Sequence, residues 1–546
     1  MERTLTKLST LFFPRDALGR THYNTNELIV LYVAWLALFF YVLASAWVAE
    51  DAYITFRVID NFHNGYGLRW NVFERVQAYT HPLWMLLHIP LYAVWHNLFL
   101  VSIFLSIACS VGAAAVALAT SCKPVVVTLC IFFLPLMLSK SFMDYTTSGL
   151  ENPLSFLLFA VFGYVVIKKN THPYFWFYAS LSLALALLNR LDTIIFYAPA
   201  MAYLAYARMN TIRWRQIAVG FMPLIFWFYF SLFYYGFLFP NTKYAKLDTG
   251  MGMELYITQG LHYVQYLVVK DTPGAVLILS SLFFIAQKKR FKNAVPGLPY
   301  LPAFIALGIV IDCIYVIYVG GDYMMGRFWS IPIFASVWLW YVFCPYRIKP
   351  DMIAAVFCAL LTAAAVPPLL QSIRSSCNIC IPLVGKVLDA SHTFGSNKLF
   401  TQLYPPQIRR QGRYVFAEDG KKLALEDPPP VKPLYFIGMP GFYAGHRVTI
   451  IDMLGLADPL LARLPASKKQ GFYIGHFRRD VPRGYEYALL SGSLDAMPEP
   501  LAKYYEKLQL ITEGDLLDPE RLRTIVLFNL GYYDFWKQQY LNNNGL

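Results

Sequence analysis

The sequence predicts a polytopic α-helical membrane protein with a C-terminal α+β domain outside the bilayer. The first observation is composition: 57% of the 546 residues are hydrophobic and only 14% are charged, whereas soluble chains average about 45–50% apolar and about 25% charged residues. The second is a series of apolar runs long enough to cross a bilayer. The third is a change of composition near residue 371. These features exclude a soluble enzyme, a coiled coil and a disordered scaffold.

The apolar runs predict about eleven crossings. They lie near 28–48, 99–120, 124–138, 152–167, 174–190, 193–207, 216–236, 274–286, 298–319, 329–344 and 351–370. A weaker run near 81–97 contains two tryptophans and two prolines, so we expect it to lie along the outer surface. The first run lacks a small-residue cleavage site, and no cleavable signal peptide is expected.

Basic clusters set the expected orientation. Lysines and arginines near 168–169, 208–215, 288–290 and 347–349 fall on alternate loops, and short basic loops mark the cytoplasmic side. We therefore expect a cytoplasmic N-terminus over 1–27, a transmembrane domain over 28–370 and an extracytoplasmic domain over 371–546. The first external loop covers about 50–98. The net charge of +13 then reflects topology rather than nucleic-acid binding.

The region after 371 has the pattern of a small α+β domain. Short alternating stretches at 431–437 and 447–452 predict strands, and 500–510 predicts a helix. Cys377 and Cys380 begin the region in a compartment where disulfides persist, and whether they form a disulfide is left open. A redox or metal role for this pair would need more partners than the sequence offers, and no histidine or cysteine spacing typical of a metal site rises above background.

Polar residues collect at the edges of the external loops. The first external loop holds Glu50, Asp51, Tyr53, Arg57, Tyr79 and His81; later loops hold Glu151, Arg190, Asp192, Asn241, Lys243, Lys246, Asp322 and Arg327. Ionisable groups at membrane depth are costly and indicate function. For single residues, roles that do not involve a substrate stay open. Asp51 could end a hydrophobic helix, Arg57 could contact lipid headgroups, and Arg190 could form a structural ion pair with Asp192.

Together these groups suit an anionic, lipid-attached substrate. Arginine and lysine bind phosphate oxygens, and a carboxylate can take the proton of an attacking hydroxyl. A sugar carried on a polyprenyl phosphate has this form, with its phosphate at headgroup depth and its sugar just outside. The residues alone therefore predict a protein that handles a lipid-phosphate sugar on the external face.

Six segments in order resemble AftB-like membrane arabinofuranosyltransferases, which belong to the GT-C glycosyltransferase superfamily. The segments are 50–57, 77–84, 147–152, 240–246, 320–328 and 452–459, within a resemblance over about 28–485. The family pattern usually begins with two aspartates, whereas the corresponding segment of this chain begins with Glu50 and Asp51. Asp51 is therefore the better choice for the catalytic role.

The resemblance implies an inverting enzyme that moves a pentofuranose, D-arabinofuranose, from a polyprenyl-phosphate donor to an envelope glycan or glycoconjugate. It implies a bacterial inner-membrane location with an extracytoplasmic active site. Asp51, with Glu50 beside it, would be the catalytic base, and the donor phosphate would lie on Arg57, Lys243, Lys246 and Arg327. Sugar and acceptor contacts would come from Tyr53, Tyr79, His81, Glu151, Arg190, Asp192, Asn241, Asp322, Asp452 and Asp458.

No cofactor is implied with certainty, and a divalent cation remains an open question. The implied partners are the donor, the acceptor and membrane lipid, without nucleic acid. Two alternatives stay open: a transferase for another lipid-linked sugar acting on lipid A, O-antigen or protein, and a non-catalytic transporter of lipid-linked glycans. Transporters often contain internal repeats, and no convincing repeat is seen here.

Overall fold

The computed structural model describes residues 23–247, 249–292, 294–343, 397–398, 415–467 and 474–544. Within these ranges the chain is mostly helical. The first eleven helices are α1 Thr25–Ala44, α2 Ala52–His63, α3 Pro82–Trp95, α4 Leu98–Thr120, α5 Val125–Leu138, α6 Lys140–Asp144, α7 Asn152–Lys168, α8 Phe175–Asn189, α9 Ile194–Ala207, α10 Trp214–Tyr235 and α11 Asn241–Leu247. The middle of α5, Leu129–Phe133, is a π-helical turn.

The remaining helices follow in the same order. They are α12 Met253–Lys270, α13 Thr272–Ser280, α14 Leu282–Ala286, α15 Leu301–Tyr318, α16 Ser330–Phe343, α17 Val415–Ala424, α18 Gly438–Ala444, α19 Tyr485–Ser491, α20 Glu499–Glu513, α21 Pro519–Asn529 and α22 Asp534–Asn543. Four short strands complete the elements: β1 Trp47–Val48, β2 Asn397–Lys398, β3 Val431–Leu434 and β4 Thr449–Asp452.

Fewer helices qualify as membrane spans than the sequence predicts. Among the described residues, α1, α4, α10 and α15 are long and apolar enough to cross a bilayer, and α12 with α13–α14 makes a fifth if that bent pair is one span. The other apolar helices, including α7, α8 and α16, have 10–17 residues, fewer than the roughly 20 that a crossing needs. The predicted total of eleven is therefore not confirmed, and the predicted span at 351–370 lies outside the described residues.

A sharp bend at residue 271 precedes the run predicted to span the membrane at 274–286. The sequence analysis did not predict helix α12. The chain bends by 109° between α12 and α13. Asp271 stands at the corner, where its carboxylate accepts hydrogen bonds from Gly274 N, Ser141 N and Ser139 Oγ at 2.8–3.1 Å. Pro273 follows in the first turn of α13, and a proline there favours the start of a new helix. Apolar composition alone does not reveal such a capped corner.

The described residues form two compact units. Unit A contains residues 23–48, 99–223, 254–343 and 397–398, and unit B contains residues 49–98, 224–253, 415–467 and 474–544. The first external loop thus belongs to the same unit as the C-terminal segments. The predicted boundary between residues 370 and 371 lies outside the described residues.

Small residues allow close helix packing inside unit A. A Cβ added at Gly308 of α15 would lie 2.1 Å from the carbonyl oxygen of Phe196, and one at Gly163 of α7 would lie 2.5 Å from the Trp338 ring. Such small residues let apolar helices approach where no hydrophobic force drives them together. Aromatic rings fill the adjoining core, with the Phe159 ring 5.5 Å from that of Trp338.

Unit B combines helices with a two-stranded parallel sheet. The predicted strands are confirmed as β3 and β4, paired from Val431 with Thr449 to Leu434 with Asp452, and the predicted helix is confirmed as α20. The hydrophobic core includes Ile451 of β4 and Leu501 and Leu508 of α20, each fully buried. Asn71 from the first external loop joins this framework: its side chain donates to Ile450 O and accepts from Ile450 N at 3.1 and 3.3 Å.

Candidate active site

Glu50 and Asp51 stand side by side at the start of α2 in unit B. Asp51 occupies the N-cap position, but its side chain makes no capping bond to the helix. The side chain of Glu50 is held from the C-terminal part of the unit, because Met439 N donates to Glu50 Oε1 at 3.0 Å. Gly438 makes this approach possible, since an added Cβ would lie 2.1 Å from the Glu50 carbonyl oxygen.

The two acids differ in their electrostatic state. Burial, together with the adjacent Asp51 charge, raises the pKa of Glu50 to about 8. Glu50 therefore retains a proton at neutral pH, and a protonated carboxyl cannot accept another from a substrate. Glu50 is therefore the less suited of the two acids to accept a proton, and the choice of Asp51 as the base stays a prediction.

The raised pKa of Glu50 predicts that stability falls as the pH rises. An acid whose folded-state pKa is raised binds its proton more tightly when folded, so its stabilising contribution is lost between its ordinary value of 4.5 and about 8. Burial raises the pKa of Asp452 to about 6 and that of Asp458 to about 7, and both contribute with the same sign. We expect the apparent melting temperature in detergent to decline from pH 5 to pH 8.5.

Glu50→Gln supplies the matched measurement for this pH dependence. The amide cannot ionise but keeps an oxygen that can accept from Met439 N, so the variant should show a shallower decline over the same pH range. Melting curves of both proteins at six or more pH values would give the two slopes. Parallel slopes would contradict the assignment of a raised pKa to Glu50.

The Arg57 side chain is buried within unit B and is not open to a substrate. It is 2% exposed, and its three guanidinium nitrogens donate to the carbonyl oxygens of Trp70, Gly441 and Val448 at 2.6–2.9 Å. The guanidinium carbon also lies 4.3 Å from the centre of the Trp70 ring. The Arg57 side chain thus ties α2 to α18 and to the residue before β4, and we leave it out of the proposed donor-phosphate contacts.

The aromatic residues predicted to contact sugar are buried in unit B. Tyr53 packs against the rings of Phe442 and Tyr443, and the hydroxyl of Tyr79 lies 2.8 Å from that of Tyr235. His81 Nε2 lies 2.9 Å from Thr55 Oγ1. Each of the three predicted side chains is less than 7% exposed, so in this conformation they support the first external loop.

The run 452–459 forms a tightly bonded turn. Asp452 accepts from Leu454 N and Ala457 N at 2.9 and 2.8 Å. Asp458 accepts from Leu460 N and Leu461 N, and from the Tyr485 hydroxyl, at 2.8–3.0 Å. Both carboxylates are buried, and the acids predicted to bind acceptor therefore shape this turn.

Helix α11 supplies the remaining predicted residues of unit B. Asn241 is buried and its side-chain amide donates to the carbonyl oxygens of Gly455 and Asp458 at 2.8 and 3.0 Å. Lys243 is exposed, with its ammonium 3.8 Å from the centre of the Phe239 ring. Lys246 is half-buried on the same helix. The two lysines thus supply positive charge on α11, whereas Asn241 anchors that helix to the turn.

Unit A brings five predicted residues into one network of ion pairs. Glu151 is 1% exposed and its Oε1 accepts from Arg190 Nη1 and Arg327 Nη2, each at 3.2 Å. Arg327 Nη1 donates to Asp322 Oδ2 at 3.2 Å, and Arg190 pairs with Asp192 through Nε and Nη2. Glu151 therefore joins two arginines, each of which also holds an aspartate.

Backbone and amide contacts fix this ion-pair network. Asn152 Nδ2 donates to the Arg327 carbonyl oxygen at 2.9 Å, and Asn189 Nδ2 donates to the Glu151 carbonyl oxygen at 3.1 Å. The Arg190 guanidinium carbon lies 4.6 Å from the centre of the Phe328 ring. The structural ion pair considered for Arg190 and Asp192 is thus present, within a larger arrangement that the sequence alone could not show.

Sequence analysis missed two acids, one in each unit. Asp312 lies in α15 close enough to Asp192 and Arg190 for their charges to interact, and an acid inside an apolar run is a signal that could have identified it. Glu74, in unit B, is 2% exposed, and its Oε1 accepts from Asn71 Nδ2 at 3.0 Å. No sequence signal distinguishes Glu74 from an ordinary loop acid.

The part of the chain that the structure describes contains no group of three or more His, Cys, Asp or Glu residues placed to hold a metal ion. The ion pairs of unit A already combine three carboxylates with two guanidinium groups. A divalent cation is therefore not assigned to a described residue.

Comparison with known proteins gives one informative match. The chain is 26% identical over 326 residues to the terminal β-(1→2)-arabinofuranosyltransferase of Corynebacterium glutamicum, with 53% of this chain and 47% of the relative covered. The chain thus matches about half the length of that relative. No model of a protein family matches the chain, and no solved structure matches it significantly. The similarity supports a glycosyltransferase, and the apolar helices indicate a membrane protein.

Proposed function

We propose that this chain is an inverting glycosyltransferase that moves D-arabinofuranose from a polyprenyl-phosphate donor to a cell-envelope glycan or glycoconjugate. The acid pair at the start of α2 is the observation that carries the proposal, since Met439 N engages the Glu50 carboxyl while the neighbouring Asp51 side chain is partly exposed. The similarity to an arabinofuranosyltransferase supports the choice of sugar. The expected location is a bacterial inner membrane, with the reaction on the extracytoplasmic face.

The proposed reaction is a single displacement. Asp51 takes the proton of an acceptor hydroxyl while that oxygen attacks the anomeric carbon of the donor sugar. A new carbon–oxygen bond forms, the bond from the anomeric carbon to the phosphate oxygen breaks, and the polyprenyl phosphate leaves with the bonding electrons. The configuration at the anomeric carbon inverts because only one displacement takes place.

Asp51 is suited to this role by its surroundings. It is partly exposed, and its carboxylate has no hydrogen bond to any residue that the structure describes. An acceptor hydroxyl therefore does not have to displace an internal partner. Glu50, in contrast, is engaged by Met439 N, and we assign it the positioning of the first turn of α2.

Positive groups are proposed to stabilise the charge on the leaving phosphate. Lys243 and Lys246 follow each other by one helical turn on α11 in unit B and are proposed for this task. Charge-assisted contacts of this kind are worth most when charge grows on the leaving group in the transition state. Among the residues proposed for sugar contact, Asp192 is the most open, with a side chain 30% exposed.

Incubation with a panel of donors tests the proposed function. Purified protein would be given polyprenyl-phosphate carriers of arabinofuranose, ribofuranose, mannose and aminoarabinose together with an arabinan acceptor, and released polyprenyl phosphate would be measured. We expect consumption of the arabinofuranose donor and an extended acceptor. Consumption of a hexose or aminoarabinose donor instead would overturn the sugar assignment, and no consumption of any donor would overturn the proposed enzyme.

A further inference from the structure

The C-terminal helices of unit B expose an apolar surface that the proposed reaction does not use. Leu522, Val526 and Leu530 recur every four residues along α21 and are 38%, 58% and 77% exposed. Three further apolar side chains are exposed: Leu517 before this helix is 77% exposed, and Tyr532 and Phe535 after it are 69% and 71% exposed. We call these six residues the C-terminal apolar face. Contiguous exposed apolar groups of this kind indicate an interaction surface.

A second side of α21, about 100° around the helix from its exposed leucines and valine, is attached to the end of a candidate membrane span. Arg521 is fully buried, and its Nη2 donates to the carbonyl oxygens of Phe233 and Tyr234, each at 3.0 Å. These carbonyls belong to the last turn of α10. Asn529 at the other end of α21 donates to the Gly236 carbonyl oxygen at 2.8 Å. Both ends of α21 are thus bonded to the end of α10.

Close packing reinforces these bonds. Gly236 has φ of +80°, and a Cβ added there would lie 2.2 Å from Ile511 and 3.3 Å from Ile525. Only a residue without a side chain allows α20 and α21 to approach the end of α10 this closely. The distance between α21 and this end of the span is therefore fixed by the fold.

The span to which α21 is bonded has a side suited to lipid. In its unit B part, Ile225, Phe226 and Tyr229 are 52%, 62% and 70% exposed, and α10 is apolar and long enough to cross a bilayer. The end of a membrane-spanning helix lies near the headgroups. A helix bonded directly to that end lies at the same depth, where apolar and aromatic side chains are favourable.

We propose that the C-terminal apolar face contacts the lipid of the outer-facing interface, so that α21 and α22 form an interfacial anchor for unit B. The bonds to α10 favour lipid over a protein partner, because they hold the face at headgroup depth. The tyrosine and phenylalanine on the face suit that depth, as their rings are apolar and the tyrosine hydroxyl can reach water. This inference depends on α10 being a span and not on the sugar transferred.

Photo-crosslinking in lipid nanodiscs tests this inference. p-Benzoylphenylalanine would be introduced at Val526, at Leu530 and, as a matched control, at Lys503, whose side chain is 50% exposed on α20. The full-length protein would be reconstituted in phosphatidylcholine and phosphatidylglycerol, irradiated, and analysed by mass spectrometry for lipid adducts. All three positions are exposed, so the substitutions are compatible with folding.

We expect lipid adducts at Val526 and Leu530 to exceed those at Lys503 by about tenfold. Equal adduct yields at the three positions would overturn the inference. Adducts at Val526 and Leu530 with a second copy of the chain would overturn it as well, because the face would then be a protein interface. Donor turnover can fail independently of this result, so the proposed function and the anchor are tested separately.

Discussion

Asp51→Asn is expected to lower the rate of sugar transfer by about 10²- to 10⁴-fold, the range that a positioned general base contributes. The amide has nearly the shape of the carboxylate but cannot accept the proton of the acceptor hydroxyl. The measurement is single-turnover transfer from the polyprenyl-phosphate donor at saturating donor and acceptor, which separates the chemical step from substrate binding.

Folding of this variant is expected to be unchanged. The Asp51 side chain makes no capping bond to α2, and removal of its charge relieves the repulsion that contributes to the raised pKa of Glu50. A melting temperature equal to or above that of the parent protein would therefore accompany the loss of activity. Near-normal transfer by Asp51→Asn would remove Asp51 from the role of base.

Glu50→Gln distinguishes the two acids in the same assay. Because Glu50 holds its proton at neutral pH, the amide should retain most of the activity near pH 7. A loss as large as that of Asp51→Asn would instead place the base at Glu50. The family resemblance alone does not show which acid is the base. The family pattern has two aspartates, and this chain has Glu50 in place of the first.

The sequence was informative about helices and less so about spans. Runs such as 28–48 and 216–236 are helical as predicted, in α1 and α10. The run predicted at 274–286 follows a 109° bend at Asp271 and is divided between α13 and α14 at Ser281, because composition records how apolar a run is and not where the helix bends or breaks. The runs behind α7, α8 and α16 give helices that are shorter than a full crossing.

The residues of the candidate site were predicted better than their contacts. Glu151, Arg190 and Arg327 were chosen from three separate loops, and the structure brings them together within unit A. Arg57 was chosen on the same argument, but its partners Gly441 and Val448 lie 384 and 391 residues away in sequence. No local pattern could show that these carbonyls would occupy its guanidinium group.

Gly438 illustrates the same limit. Its importance comes from the 2.1 Å that would separate an added Cβ from the Glu50 carbonyl oxygen, a contact between segments that are remote in sequence. A glycine of this kind is indistinguishable from a turn glycine until the fold is known. Long-range packing therefore decides which polar residues of the first external loop are open to a substrate.

Glu151→Ala is expected to lower the free energy of unfolding by about 3–5 kcal/mol, the range for breaking a buried ion pair by removing one partner. The reason is that Glu151 accepts from both Arg190 and Arg327, and its loss removes both bonds from two largely buried guanidinium groups. Those groups then keep Asp192 and Asp322 as acidic partners. Chemical unfolding in mixed detergent micelles measures the change. Glu151→Gln should lose less, because an amide oxygen still accepts one of the two hydrogen bonds.

Glu418→Ala provides the matched control for a glutamate in an ion pair. Glu418 pairs with Lys421 at 2.8 Å, but the two side chains are 56% and 54% exposed, and exposed pairs contribute only about 0–1 kcal/mol. A similar small change for Glu151→Ala would show that water or the membrane environment compensates the two arginines, and the network would then not be a structural centre of unit A. A large change confined to Glu151 would follow from its burial and its two guanidinium partners, since Glu418 is exposed and pairs with one lysine.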